Sequence, residues 1–383
     1  MRVVCLAVLL GAPPLLACSL LFDTRTADQI EIDGGEAVLD AGLEGLGPLR
    51  TLTSGAGHAT YSSVVWDGSN YRVVWEDGGE VVSGEVYATT VGSDNIVRIT
   101  TTGGTKPSSV WNGTSLAIAW VDDRDNPALY AGYYDQNNQL IGSESLVSEG
   151  LGGIAQVSSL VATSTQVGVT WFESAPSPQV AFARLDGAGA LVESPVIVHP
   201  MAAVPTIAFN GSHYGVTWHD SSGPNIFIQQ YLPSGQKSGQ VTQVSFSADD
   251  SLLPVIASNG SDFAVVWQET SNSSLHFVQS PEYGKMQASV PITTGDAVPS
   301  LPDMVWNGEG YGVIWQDDRG GQSEIYFREF DSAGAPAGPE LKVSDSIGDC
   351  RVPSLVHNGS EYAASWQMGP TQSQVIQFRR FAP

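Results

Sequence analysis

Asn307-Gly308-Glu309-Gly310-Tyr311-Gly312-Val313-Ile314-Trp315-Gln316-Asp317 is the stretch that decides the fold. Tyr311, Val313 and Trp315 are large and apolar at every second position, which marks one face of a β-strand rather than a helix. Asn-Gly ahead of such a run is a strong hairpin signal, because glycine takes a positive φ without steric cost and asparagine tolerates it. The arrangement recurs around Trp75, Trp120, Trp171, Trp218, Trp267, Trp315 and Trp366, at gaps of 45, 51, 47, 49, 48 and 51 residues. Eight residues before these tryptophans stand Asp67, Asn112, Thr163, Asn210, Asn259, Asn307 and Asn358, and all but Thr163 precede a glycine. Spacing is fixed inside the unit and drifts between units, as in a structural repeat with variable loops.

With each tryptophan as position 0, positions −4 and −2 are apolar in every copy. Position −3 is small, as in Ala117, Gly168, Gly215, Ala264, Gly312 and Ala363, with Arg72 the exception. A large face backed by a small one predicts a sheet packed on both sides. A short apolar run precedes each turn, as in Ile207-Ala208-Phe209, and five repeats carry proline at −13 (Pro107, Pro205, Pro254, Pro302, Pro353), read here as the start of that strand. A third run follows the tryptophan (Ile325-Tyr326-Phe327) and a fourth comes later (Leu341-Lys342-Val343). The expected fold is therefore all-β: a seven-bladed β-propeller of four-stranded antiparallel blades. The last unit stops after its third strand, and Pro48-Leu49-Arg50-Thr51-Leu52 reads as an orphan fourth strand. Residues 48–54 are thus expected to complete the seventh blade and close the ring.

The N-terminus reads as a processing signal. Its apolar stretch is too short to span a bilayer and is broken by Pro13-Pro14. Leu15-Leu16-Ala17-Cys18 resembles a bacterial lipobox, although Leu16 stands where a smaller residue is usual. The resemblance implies a signal peptide over 1–17, lipidation of Cys18 and, with Ser19 next, sorting to the outer membrane. Residues 18–46 form an acidic, flexible tether, leaving 47–383 as the propeller domain. A closed ring has no natural internal boundary. Cys350 remains as a plain thiol, placed in the loop leading into the last blade, without a histidine or cysteine nearby in sequence to activate it.

The chain carries 16 basic and 40 acidic residues, a formal charge of −24. This argues against nucleic acid and against docking on anionic lipid, so the membrane is met through the lipid anchor alone. A self-repelling domain of this kind is expected to be monomeric. Position +2 is acidic in six repeats: Asp77, Asp122, Glu173, Asp220, Glu269 and Asp317. They are a candidate ring for a cation, for which calcium is the ion considered, or for a basic partner. Repetition favours the plainer reading, in which each carboxylate accepts N–H groups of its own loop. Asp122-Asp123-Arg124 and Asp317-Asp318-Arg319 read as surface ion pairs. His213 and His219 lie about 20 Å apart if one strand separates them, too far to share a metal. No cofactor is expected, and no recognised metal, nucleophile or phosphate motif occurs. Trp66, Trp111, Phe209, Trp306 and His357 at position −9 read as cover over the core, while Tyr130, Tyr133 and Tyr134 are candidates for a local sugar platform.

The unit Asn-Gly-x-x-Tyr-x-Val-x-Trp-x-Asp resembles the repeat of exported bacterial β-propeller lipoproteins over about residues 55–383. That resemblance implies architecture and cell-envelope location and brings no catalytic residues. The leading functional expectation is a non-enzymatic binding or scaffold platform for a protein or polymer partner. A carbohydrate-binding, lectin-like propeller is the alternative, and a glycan hydrolase or lyase the second alternative.

Overall fold

The computed structural model describes residues 45–53, 58–78, 84–100, 103–122, 124, 127–151, 155–270, 273–280, 288–293, 296–345, 348–370 and 373–383. The chain divides into two units, Met1–Val38 and Leu39–Pro383. The first unit, with Cys18 and the segment 1–17 read from sequence as a signal peptide, lies outside the described residues, which all belong to the second. Seven four-stranded antiparallel sheets make up that second unit, and no helix occurs among the described residues. This is the expected seven-bladed propeller.

In each blade the strand order follows the chain from A to D. The A strands are Ala59–Trp66, Thr105–Trp111, Ala155–Ala162, Ala202–Phe209, Ser251–Ser258, Pro299–Trp306 and Cys350–His357. The B strands carrying the tryptophans are Tyr71–Asp77, Leu116–Asp122, Val167–Glu173, Tyr214–Asp220, Phe263–Glu269, Gly310–Asp317 and Tyr362–Met368. Successive A strands neighbour one another around a ring that runs from the seventh back to the first, so they surround the central channel. The fourth strand of the seventh blade is Arg50–Thr51, which pairs with the C-terminal strand Val375–Phe381. Backbone bonds from Gly47 to Arg380 and from Leu52 to Ile376 extend the seam.

The A–B turn explains the Asn-Gly signature. Asn307 Oδ1 accepts the N–H groups of Glu309 and Gly310 at 2.9 and 2.7 Å, and Gly308 has φ +107°. Asp67, Asn112, Asn210, Asn259 and Asn358 do the same, and Thr163 manages with its hydroxyl. At position −9, Trp66, Phe209, Trp306 and His357 pack on the −4 aromatic of their own blade, with ring centres 4.7–5.0 Å apart.

All seven repeat tryptophans are at most 1% exposed. They pack on the preceding blade: Trp171 against Leu129 and Ala131, Trp218 against Val180 and Phe182, Trp315 against Leu275 and Phe277. The small −3 position makes room for the −4 ring of the next blade. A Cβ on Gly215 would lie 2.9 Å from Phe263. Arg72, the exception, is fully buried and turns its guanidinium to Asp135 O and Asn138 Oδ1 in the second blade, so charge-assisted bonds stand in for apolar packing.

The −13 prolines do not start strand A. They sit inside it, at a register shift that every blade shows. Positions −14 and −13 together face one residue of strand B in six blades, and positions −15 and −14 do so in the third. Proline suits a bulge on a strand whose inner edge meets the channel. Cys350 likewise begins strand A of the seventh blade rather than lying in a loop, and burial pushes its thiol up to about 12.

Candidate site at the channel mouth

The innermost strands leave edge N–H groups unpaired, which a folded chain must satisfy. Position −12 answers this. Ser63 Oγ accepts the N–H of Ser109, Ser159 Oγ that of Ile207, and Ser354 Oγ that of Val64, at 3.2–3.4 Å, each on the next blade. Thr206 instead donates to Pro254 O, and Ser108 meets Ser158. Asp303 takes this role in the sixth blade, accepting the N–H of Leu355 at 2.8 Å. Burial pushes its carboxyl up to about 6, although the N–H groups of Leu355 and Met304 oppose the rise.

At position −14 the bulge forces the backbone into the left-handed region. Tyr61, Lys106, Val204, Leu253, Leu301 and Val352 all have φ between 47° and 53°. Such a conformation is rare for any side chain with a Cβ and costs about 1–3 kcal/mol per residue. Strain of this kind re-aims side chains at the rim of a fold. These residues lie near the start of strand A, next to the end of strand B, so they ring the channel on the face bearing the D–A and B–C connections.

The ring is two-sided. Val204, Leu253, Leu301 and Val352 make it aliphatic through blades 4 to 7, whereas Tyr61 and Lys106 stand side by side in blades 1 and 2. Neighbouring positions extend the polar arc. Gln367 Oε1 accepts the Tyr61 N–H at 3.3 Å, and Glu76 Oε2 accepts the Lys106 N–H at 2.9 Å. Lys106 Nζ donates to Gln156 Oε1 at 2.6 Å. Four consecutive blades, 7, 1, 2 and 3, thus contribute Gln367, Tyr61, Glu76, Lys106 and Gln156 to one polar arc. Tyr61 is 40% exposed. Burial raises the Glu76 carboxyl and lowers the Lys106 ammonium, and each softens the shift of the other. Partial desolvation by the channel wall, and then Glu76, raise the Tyr61 phenol although its side chain stays exposed.

The acidic +2 positions are placed differently. Trp120, Trp171, Trp267 and Trp315 donate their indole N–H to Asp122, Glu173, Glu269 and Asp317 at 3.0–3.4 Å, and these four acids are at most 3% exposed. Asp77 accepts the His58 N–H and Asp220 that of Ser222. Each carboxylate is bonded within its own blade or the segment leading into it. Among the described residues no three His, Cys, Asp or Glu side chains come together to hold a metal ion.

Blades 2 and 6 elaborate the motif alike. Arg124 bonds Asp122 and Glu144 and lies 4.2 Å over the Tyr130 ring, which stacks on Trp120. Arg319 repeats this with Asp317, Glu340, Tyr326 and Trp315. Burial disfavours the Asp122 and Asp317 charges, but the arginine and indole bonds outweigh it and hold both carboxyls below their ordinary value. Tyr130 is therefore sandwiched, and Tyr133 and Tyr134 are buried at 3% and 1% exposure, so the three rings form no common open platform. His219 is buried at 5% exposure.

No protein-family model matches the chain, and no curated protein matches it. Solved structures do match. An oligogalacturonate lyase from Vibrio parahaemolyticus superposes with a TM-score of 0.59 at 10% identity, covering 86% of this chain and 93% of that one. A protein of unknown function from Dyadobacter fermentans gives 0.55 at 11%, covering 87% and 98%. The β-propeller domain of the Trilobed protease from Pyrococcus furiosus gives 0.55 at 9%, covering 85% and 97%. At such identities the likeness is one of fold alone, and the class it supports is the β-propeller.

Proposed function

We propose that this protein is a binding propeller of the bacterial cell envelope, anchored through lipid on Cys18, whose ligand docks at the channel mouth formed by blades 7, 1, 2 and 3. The observation that carries this reading is the break in the repeat there. Six of the seven −12 positions and all seven tryptophans serve the blades themselves, whereas Tyr61 and Lys106 break the aliphatic run that position −14 keeps through blades 4 to 7. They project a phenol and an ammonium from strained backbone into an arc built by four blades. Local departures from a repeat are where a propeller places recognition, because the repeated residues are committed to the fold. The partner is a polymer or protein, the chain acts as a monomer, and neither nucleic acid nor cofactor is required.

A panel of envelope polymers and surface proteins tested against the full mature chain checks this. Binding is expected to fall at least tenfold in Tyr61→Ala. It should persist in Phe246→Ser, which removes a ring that is 73% exposed in the connection leading to blade 5. Loss in the second variant and not the first would place the site elsewhere. The hydrolase or lyase reading is favoured by one observation. Glu76 is shifted up and Lys106 down, the directions that suit acid–base chemistry. Shortened chains after incubation with a bound polymer would support it.

A further inference from the structure

We infer that the group recognised at the channel mouth is the carboxylate of an acidic saccharide, an inference that rests on the mouth being the binding site. The arc offers N–H donors to a ligand. Lys106 Nζ and the Tyr61 backbone N–H can only donate, so the amides they meet must turn their oxygens toward them. The amide NH₂ groups of Gln156 and Gln367 are thereby turned the other way as donors. Lys106 keeps two further N–H bonds to give, and Tyr61 has its hydroxyl. Beside them stand acceptors, the oxygens of Glu76, one of which already accepts the Lys106 N–H, and the Tyr61 hydroxyl. The Lys106 and Gln156 N–H groups together fit a group that only accepts, and a carboxylate is the common group of that kind.

Lys106 brings the positive charge of the arc, bonded through Nζ to a neutral amide, and Glu76 is the carboxylate whose charge it feels. The remaining features select a saccharide over a peptide terminus. Glu76 can accept a hydroxyl beside the bound carboxylate, and the exposed Tyr61 ring offers an apolar face of the kind sugar rings stack on. A uronate carboxylate thus falls on Lys106 and Gln156, a ring hydroxyl on Glu76 and the ring itself against Tyr61.

The test uses the full mature chain with three probes: a soluble uronic-acid polymer, the same polymer with its carboxyls reduced to alcohols, and a peptide ending in a free carboxylate. The native protein is expected to bind the first at least tenfold more tightly than either of the others. Lys106→Gln should remove most of that preference while leaving the melting temperature near that of the parent, and added salt should weaken the first complex alone. Equal binding of the reduced polymer, still lost in Tyr61→Ala, would keep the mouth as the site and overturn the carboxylate. Preference for the peptide, or no binding of the uronate polymer, would also overturn the inference. Binding indifferent to both Lys106→Gln and Tyr61→Ala would instead remove the mouth itself.

Discussion

Asp303 stands where five blades carry serine or threonine, and it keeps their bond to the next blade while adding a half-buried charge. Neighbouring protein at the channel wall pushes its carboxyl up to about 6 from the ordinary 3.8. The native chain therefore holds a proton that the unfolded chain has released. The stability this contributes is full below about 4 and is lost as pH rises through 6. His219 acts in the opposite sense. Burial pushes it down to about 4, with Asp220 only partly opposing, so its contribution is present above 6.5 and lost as pH falls toward 4. The two slopes offset in the parent. Asp303→Ser should raise stability at pH 7.5 by about 1–3 kcal/mol and uncover a loss on acidification, read from urea unfolding at pH 7.5 and 4.5. An unchanged pH 7.5 midpoint would show that Asp303 ionises without penalty. Neither residue's shift could be read from sequence, because what causes it is the surroundings that the ring creates. Tyr61, Lys106 and Glu76 were closer to being legible. Aligned at −14 and +1 they depart from their counterparts in adjacent repeats, but Pro107 beside Lys106, like the other −13 prolines, reads as a strand start, which hides the bulge that carries position −14.

At the scale of the blade, most of the design was visible in the sequence. Alternation at −4, −2 and 0 marks strand B, and the tight turn is named by its Asn-Gly pair, because both signals are local. The meaning of the small −3 position was not visible, since the ring that fills the space belongs to the next blade. Gly215→Val is expected to destabilise by about 1–3 kcal/mol through overpacking, because even a Cβ there would lie 2.9 Å from Phe263. Thermal melts compare it with Gly223→Val, whose Cβ position is open. Trp267→Ala, at 0% exposure, should cost about 3–5 kcal/mol. A melt like the parent's would mean that the interface between blades 4 and 5 does not depend on it. The acidic +2 residues show why repetition favours a structural role: four of them receive the indole N–H two residues back, a partner close in sequence.

For the whole molecule, closure and recognition are linked, because the seam joining residues 45–53 to the C-terminal strand lies in blade 7, which also supplies Gln367 to the mouth. The orphan strand was legible from the missing fourth strand at the other end of the chain. Leu52, whose N–H reaches Ile376 O at 2.8 Å, should exchange its amide hydrogen as slowly as the inner strands. Exchange at the rate of a free tail would open the ring. The site was less legible than the ring, because four blades supply it and no one segment contains it. Hydrogen exchange measured with and without the tightest-binding envelope polymer tests the central claim most directly. Added protection at Tyr61, Lys106, Gln156 and Gln367, with the A–B turns on the opposite face unchanged, is the predicted result. Protection confined to those turns or to the outer strands would contradict it.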